Sequence, residues 1–166
     1  MTLSTLQEYV YAHRSFNSNL HGLSHWQQVE FNGMMLAKET GADTEVVQLF
    51  ALFHDCKRFN DKYDAMHGSR GAKFAKTCFE EGLLEITPEQ FKKLYHACKF
   101  HTSQHRSGDA TIDTCYDADR LDLGRVELLL NPDKMATSAG AAIAQKSLED
   151  GINPTEMRQW LRRLNP

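Results

Sequence analysis

Apolar residues along this chain recur with the spacing of α-helices rather than of β-strands. The segment "VVQLFALF", residues 46–53, is apolar around nearly its whole helical circumference, which predicts a central, buried helix. No segment alternates apolar and polar residues between hairpin turns, as half-buried strands do. The pattern therefore predicts an all-α fold, a bundle of about six or seven helices.

Local start and stop signals set the limits of these helices. Gly41 closes the second helix, Asp43 or Thr44 begins the third, and Gly82 closes the fourth. The stretch "TPEQ" at residues 87–90 combines a capping threonine, a first-turn proline and a capping-box glutamine. "NPTE" at residues 153–156 repeats this arrangement before a short last helix. Residues 102–111 and 131–137 are predicted to be loops.

Composition places these helices in one domain. The 166 residues are 41% hydrophobic, which suits a single domain over residues 1–166 with a substantial core. The N-terminal residues lack the pattern of a secretory signal and no stretch is apolar enough to cross a bilayer, so we expect a cytoplasmic protein and no membrane partner. The four cysteines form no CxxC pair and are expected to be reduced core residues.

The charge of the chain gives little information about its binding partners. The formal net charge of −3 gives no general attraction for nucleic acid, so a nucleic-acid partner is possible but not indicated. Residues 92–106, "KKLYHACKFHTSQHR", are locally basic and suit a ligand that carries phosphate. The sequence does not specify an oligomeric state.

The central helix ends in two residues that do not fit its apolar character, His54 and Asp55. A carboxylate at the end of such a segment is costly to desolvate unless positive charge meets it. Three outcomes are open: Asp55 stays hydrated, it pairs with a cationic side chain, or it holds a metal ion.

Three further histidines face inward on their predicted helices. His25 shares a helical row with Val29 and Leu36, and His67 heads a row of small and apolar residues that ends at Cys78. On the fifth helix His101 lies near the apolar direction, whereas His96 lies on the opposite side. Each inward histidine alone is more often a hydrogen-bonded core residue than a metal ligand.

One aspartate completes the inward set. Asp119 lies within the apolar stripe of the sixth helix, residues 112–126, whereas Asp117 is expected on the outward face. Such an acid is commonly a helix cap or an arginine partner, and Arg58, Arg120 and Arg125 are available. However, five segments direct metal-capable groups toward one interior, and this coincidence favours a mixed imidazole and carboxylate metal site. Its predicted ligands are His25, His54, Asp55, His67, His101 and Asp119.

These residues, in this order, resemble the HD-domain superfamily of metal-dependent phosphohydrolases. The resemblance covers about residues 20–130 and includes "HWQQV", the adjacent pair in "HDCKR", and "DADRLD". More narrowly, "HGLSHW", "FHDCKR", "DAMHGSRGA" and "CYDADRLDLGRV" are similar to small bacterial HD proteins, which specify no substrate. The resemblance implies an HD-like helical bundle around a buried metal site.

The family pattern also implies roles for individual residues. His25, His54, Asp55 and Asp119 match its minimal ligand set for one metal ion. His67 and His101 match the extra histidines of members that bind two metals, with Asp55 bridging them. The sequence departs from the pattern at Arg58, where the family usually has lysine, and in its short interval between Asp55 and His67. The second metal is therefore the less secure expectation.

The expected cofactors and substrate contacts rest partly on this resemblance and partly on the chemistry of the side chains. One or two divalent transition-metal ions are expected, and the ligand types favour Fe, Mn, Zn, Ni or Co without distinguishing among them. Asp55 and Arg58 are the candidate catalytic residues. Arg58 is also a candidate for binding phosphate, together with His21, Lys99 and Arg120. His13, His96 and His105 match nothing in the pattern and are expected at the surface.

Three functions fit such a site. The preferred one is hydrolysis of a phosphate ester by a metal-activated hydroxide, as a phosphomonoesterase or phosphodiesterase on a small, nucleotide-like substrate such as a cyclic dinucleotide. The alternatives are a di-iron oxygenase, because some HD-fold proteins with a similar ligand set use dioxygen, and a metal-binding regulatory module with little turnover.

Overall fold

The computed structural model describes residues 1–164, and within that range the chain is all-helical, with no β-strand. Its eight α-helices are α1 (Leu3–Ala12), α2 (Leu23–Thr40), α3 (Thr44–Phe53), α4 (His67–Glu80), α5 (Pro88–Phe100), α6 (Ala110–Arg120), α7 (Ser138–Glu149) and α8 (Met157–Leu164). Three short 3₁₀ turns cover Leu123–Val126, Pro132–Lys134 and Pro154–Glu156. The predicted all-α class is confirmed, and the described residues form one helix more than the upper figure of the predicted six or seven.

Helix α3 forms the centre of the molecule, as its apolar circumference predicts. It contacts α1, α2, α4, α5 and α6, and every residue from Leu49 to Phe53 is buried. Helices α2 and α6 pack together along one side of it, and α4 and α5 along the other. The last residues of α3 therefore point into the space that these four helices enclose.

The start signals at Asp43 and at residues 87–90 operate as predicted, whereas Asn153 makes no side-chain cap and residues 154–156 form a separate 3₁₀ turn before α8. The Asp43 carboxylate accepts from the backbone amides of Glu45 and Val46 and so caps α3. Thr87 and Gln90 form a complete capping box at the start of α5. The sixth predicted helix, whose apolar stripe covers residues 112–126, is divided in the structure. Helix α6 ends at Arg120, and a separate 3₁₀ turn follows.

Two glycines let α4 approach its neighbours closely. A Cβ atom at Gly68 would overlap the Cys98 carbonyl oxygen of α5, and one at Gly71 would overlap the Phe53 carbonyl oxygen of α3. Because both positions lack a side chain, the first turn of α4 lies directly against the ends of α3 and α5. This close packing places His67 beside His101.

A second apolar cluster joins the C-terminal helices to the bundle. Trp160 and Leu161 of α8 pack with Leu36 of α2 and Leu121. All four cysteines are buried and free, which confirms their predicted role as core residues. Within residues 1–164 no helix combines the length and apolar content that crossing a membrane requires.

The outward position predicted for Asp117 is wrong. Its side chain is fully buried and faces the start of α7, where the carboxylate accepts from the backbone amides of Ala136 and Thr137 at 2.7 and 2.8 Å. It also accepts from the Thr137 hydroxyl and pairs with Arg120. The helical wheel correctly separated Asp117 from Asp119 but could not show that α7 covers the other face of α6.

We therefore expect Asp117→Ala to destabilise the fold without removing the metal ligands. Losing a buried carboxylate that accepts three hydrogen bonds should lower the free energy of unfolding by about 2–4 kcal/mol. Chemical denaturation measures this change, and Asp133→Ala, which removes an exposed acid, is the matched control. Equal stability of the two variants would contradict the capping role.

Candidate metal centre

Four histidines from four helical segments meet at the ends of their helices. His25 lies in the first turn of α2, His54 follows α3, His67 begins α4 and His101 follows α5. All four side chains are buried. The centre is therefore built from helix termini that the central packing of α3 brings together.

The hydrogen bonds of these histidines determine which nitrogen faces the centre. The Nδ1 atoms of His54, His67 and His101 lie 3.1, 2.5 and 2.8 Å from the backbone oxygens of Phe50, Asp64 and Cys98. His25 Nδ1 lies 2.7 Å from a carboxylate oxygen of Asp122. Because these acceptors carry no proton, each neutral ring holds its proton on Nδ1. All four rings then present an Nε2 lone pair inward.

These lone pairs face each other in two pairs. His25 Nε2 lies 3.1 Å from His54 Nε2, and His67 Nε2 lies 3.0 Å from His101 Nε2. Two lone pairs at this distance repel unless a cation lies near both. Two ligands that each lie about 2.1 Å from one metal ion are about 3.0–3.4 Å apart, so each pair has the spacing that a metal requires.

Asp55 connects the two pairs. Its Oδ2 atom lies 3.5 Å from His25 Nε2 and 3.6 Å from His54 Nε2. Its Oδ1 atom lies 3.1 Å from His67 Nε2 and 3.8 Å from His101 Nε2. One carboxylate thus turns one oxygen toward each histidine pair, which is the arrangement of a bridging ligand.

Asp119 completes the first group of ligands. Its Oδ1 atom lies 3.2 Å from His25 Nε2 and 3.9 Å from His54 Nε2, and it is buried without a hydrogen-bond partner in the described part of the chain. An unsatisfied buried carboxylate oxygen is rare in proteins unless a cation meets it. The buried donors thus form groups that could hold metal, among them a first group of His25, His54 and Asp119 and a second group of Asp55, His67 and His101.

The arginine distances distinguish a metal site from simple ion pairs. Arg58 lies 3.6 Å from Asp55, and Arg125 lies 3.8 Å from Asp119. Both distances exceed that of a hydrogen bond. By contrast, Asp122 accepts two bonds of 2.7 Å from Arg158. Among these three carboxylates, and within residues 1–164, Asp122 alone accepts hydrogen bonds from a guanidinium, whereas Asp55 and Asp119 have arginines at ion-pair distance only.

Protonation follows the same electrostatics. Burial opposes protonation of His25, but the carboxylates of Asp119 and Asp122 outweigh burial, so the pKa of His25 is raised. The pKa of His101 is raised in the same way, against burial, by Asp55. Burial lowers the pKa of His54 to about 3, so this ring stays neutral. In the absence of metal, protons on His25 and His101 can supply positive charge between the facing groups.

The carboxyl groups remain ionised. Burial alone would raise the pKa of Asp55. The surrounding imidazoles, led by His54, instead hold this pKa well below its usual 3.8. Against the same effect of burial, His25 and His54 lower the pKa of Asp119. Both groups can therefore act as anionic ligands at neutral pH.

The predicted substrate contacts fall into two groups. His21 Nδ1 lies 3.0 Å from Asp55 Oδ2, and Arg58 Nη1 lies 3.2 Å from His67 Nε2, so both side chains border the centre. Lys99 is exposed, with its ammonium group over the Phe100 ring. Arg120 donates to the carbonyl oxygens of residues 104, 105 and 134. The described contacts of Lys99 and Arg120 include none of the six predicted ligands.

The sequence interpretation missed Asp122 and Arg158. Asp122 lies three residues after Asp119 in "DADRLD", close to one helical turn, and this spacing was the available signal. Arg158 lies on α8, and no local pattern connects it to residue 122. Of the histidines expected at the surface, His13 and His105 are exposed, whereas His96 is half-buried and bonds to Gln104.

Comparison with known proteins supports the fold. Neither protein-family models nor curated proteins give a match to this chain. Among solved structures, the chain is similar to the crystal structure of a predicted HD superfamily hydrolase from an uncultured Thermotogales bacterium. The TM-score is 0.68 at 20% sequence identity, and the match covers 98% of this chain and 91% of the other. The predicted HD-type helical fold is confirmed.

Metal stoichiometry tests the assignment of the second histidine pair. We expect His101→Ala to lose up to one metal ion per molecule, because it removes one ligand of the group formed with Asp55 and His67. His96→Ala is the matched control on the same helix and should bind as much metal as the wild type. Elemental analysis after dialysis measures both, and equal losses would contradict the assignment.

The raised histidine pKa values predict how metal binding depends on pH. Protonated His25 and His101 stabilise the metal-free fold below their ordinary pKa of 6.5, and this contribution is lost as the pH rises through their raised values. Metal must displace the same protons, so its apparent affinity should rise over that window. Asp55 and Asp119 stay ionised throughout.

We therefore expect the increase in Tm on adding Mn²⁺ or Zn²⁺ to be larger at about pH 8 than at about pH 6. Thermal unfolding with and without metal at each pH measures the difference. An increase that shrinks as the pH rises would contradict the proton competition.

Proposed function

We propose that this chain, whose fold is that of the HD superfamily, is a metal-dependent phosphohydrolase that acts on a phosphate ester of a small molecule. The observation that carries the proposal is the two pairs of facing Nε2 atoms with the Asp55 carboxylate between the pairs. The similarity to a protein described as a predicted HD superfamily hydrolase agrees with a hydrolytic reaction. Cytoplasmic location stays a prediction.

The six predicted ligands would hold the metal ions, which would supply a water activated near neutral pH and positive charge for the oxygens of a phosphate group. The chain contributes the geometry that this chemistry requires. Backbone carbonyls and Asp122 hold the four imidazole rings in one tautomer, and Asp55 is shared between the two groups. Little rearrangement of the ligands is then needed during the reaction.

Arg58 can offer only part of its guanidinium group to a substrate, because its other nitrogens already donate to backbone carbonyls. Its Nε and Nη2 atoms donate to the carbonyl oxygens of Asn60 and Lys62 at 3.2 and 2.7 Å. Only Nη1 faces Asp55 and His67. We infer that Arg58 presents this one edge to a substrate oxygen and holds the loop at residues 59–66 against the centre.

His21 borders the opposite side of Asp55. Its Nδ1 atom bonds to Asp55 Oδ2, and its backbone carbonyl accepts a 2.8 Å bond from the Trp26 indole, which fixes the segment before α2. The ring is largely but not completely buried. We infer that His21 steadies the bridging carboxylate and can present its second nitrogen to the substrate.

A cleft of about 380 Å³ leads to the side of the centre where Arg58 and His67 lie. Its wall includes Arg58 and His67 on one side, Thr102 and Ser103 on another, and the exposed Tyr63 at the rim. The volume lies within the range of about 300–1,000 Å³ that is typical of small-molecule sites. We propose that the substrate enters here, with its phosphate toward His67 and its remaining part against the loops.

Release of nitrophenol from bis-nitrophenyl phosphate and from nitrophenyl phosphate, with Mn²⁺ or Co²⁺ added, tests the proposed reaction. We expect turnover by the wild type and a decrease of at least about 100-fold for Asp55→Asn, because the amide cannot supply two anionic oxygens. Asp61→Asn, which neutralises an exposed acid in the adjacent loop, is the matched control and should retain most of the activity.

Failure of the metal-loaded wild type on a broad panel of phosphate esters would overturn the hydrolase proposal. Oxygen uptake by the iron-loaded protein would then favour the oxygenase. Stoichiometric metal binding without either reaction would favour the regulatory module.

A further inference from the structure

We propose that Asp122 is a positioning residue for His25 and that Arg158 couples the C-terminal helix α8 to metal occupancy of the first ligand group. The contacts form one continuous path. Arg158 donates from Nε and Nη2 to the two oxygens of Asp122, each at 2.7 Å, and Asp122 Oδ2 lies 2.7 Å from His25 Nδ1. His25 Nε2 then faces Asp119 and His54.

His25 differs from the other three histidines of the centre. His54 and His101 direct Nδ1 to backbone carbonyls of the helices that they follow, and His67 directs Nδ1 to the backbone carbonyl of Asp64 in the loop before α4. His25 alone directs Nδ1 to a carboxylate, and an anionic partner makes the imidazole a stronger ligand. The first ligand group therefore depends on the position and charge of Asp122, whereas the second group does not.

The position of Asp122 depends in turn on α8. Its side chain is fully buried, so without Arg158 a carboxylate in this place would be left with the His25 ring as its main side-chain partner. Arg158 comes from a helix of eight residues and also donates to Ser24 at 2.9 Å. Undocking of α8 would remove both bonds from Asp122 at once.

Coupling of this kind acts in both directions. A cation at His25 Nε2 withdraws electrons from the ring and makes the Nδ1 proton a better donor to Asp122. Metal binding should therefore favour the arrangement in which Arg158 is docked, and docking of α8 should raise metal affinity by the same factor. The inference rests on metal binding at the proposed centre and not on the hydrolytic reaction.

Arg158 and Arg162 offer a matched pair of variants. Both lie on α8 and both bond to the bundle, but Arg162 reaches the neutral side chain of Gln28 at 3.1 Å instead of Asp122. The side chain of Arg158 is 36% exposed, so its replacement leaves no large cavity. Arg158→Gln removes the path to His25, whereas Arg162→Gln removes an ordinary contact of the same helix.

Co²⁺ binding, followed by its visible absorption and by competition with a chelator, measures the affinity of each group. His54→Ala should abolish one of the two Co²⁺-binding steps and so identify the step that belongs to the first ligand group. For Arg158→Gln we expect about a 10-fold loss of affinity at that same step, with the other step unchanged. Arg162→Gln should bind as the wild type does, and Arg158→Lys, which keeps the charge but not the two-donor geometry, should lie between. Asp122→Asn should lose at least as much as Arg158→Gln.

Hydrogen exchange of residues 157–164 gives a second readout that does not depend on activity. Co²⁺ should slow exchange in the wild type and in Arg162→Gln, and should have little effect in Arg158→Gln. Equal Co²⁺ affinity of the two glutamine variants, or exchange in α8 that Co²⁺ does not alter in the wild type, would overturn the coupling. Coupling in a protein without phosphatase activity would support this inference and overturn only the proposed reaction.

Discussion

Four imidazole rings and two carboxylates share one nearly dry interior, and the structure is stable only if positive charge lies among them. The lone pairs face inward at about 3 Å because every Nδ1 proton is already committed to an acceptor. The nearest guanidinium groups remain beyond hydrogen-bond distance of Asp55 and Asp119. Arg58 and Arg125 supply part of the positive charge at ion-pair distance, and protons or metal ions can supply the rest between the facing nitrogens.

The helix termini make such a centre possible. A histidine at the end of a helix can bond to a carbonyl within its own last turn, as His54 and His101 do, and still direct Nε2 away from the helix. Glycines on α4 bring its first residue, His67, against α5. The apolar surface of α3 thus both drives the packing and aims the ligands, since the same helix ends in His54 and Asp55.

The two ligand groups differ in what supports them. The group of His67 and His101 rests on backbone carbonyls of the adjoining segments, so it is as rigid as that backbone. The group of His25 rests on a buried carboxylate whose charge is balanced from α8. Under the proposed coupling, the first ligand group responds to anything that binds or displaces α8.

Much of this was determined by the sequence itself. Periodicity and caps predicted an all-α fold, and the resemblance of the ordered histidines and aspartates to a known family implied the HD type. Helical rows helped to select six residues that the structure brings to one centre, because they fix which side chains face inward. The burial of Asp117 under α7 and the path from Arg158 through Asp122 to His25 were decided only by the tertiary structure. These contacts join residues 19 to 97 positions apart, and no local pattern records which distant helix will cover a given face.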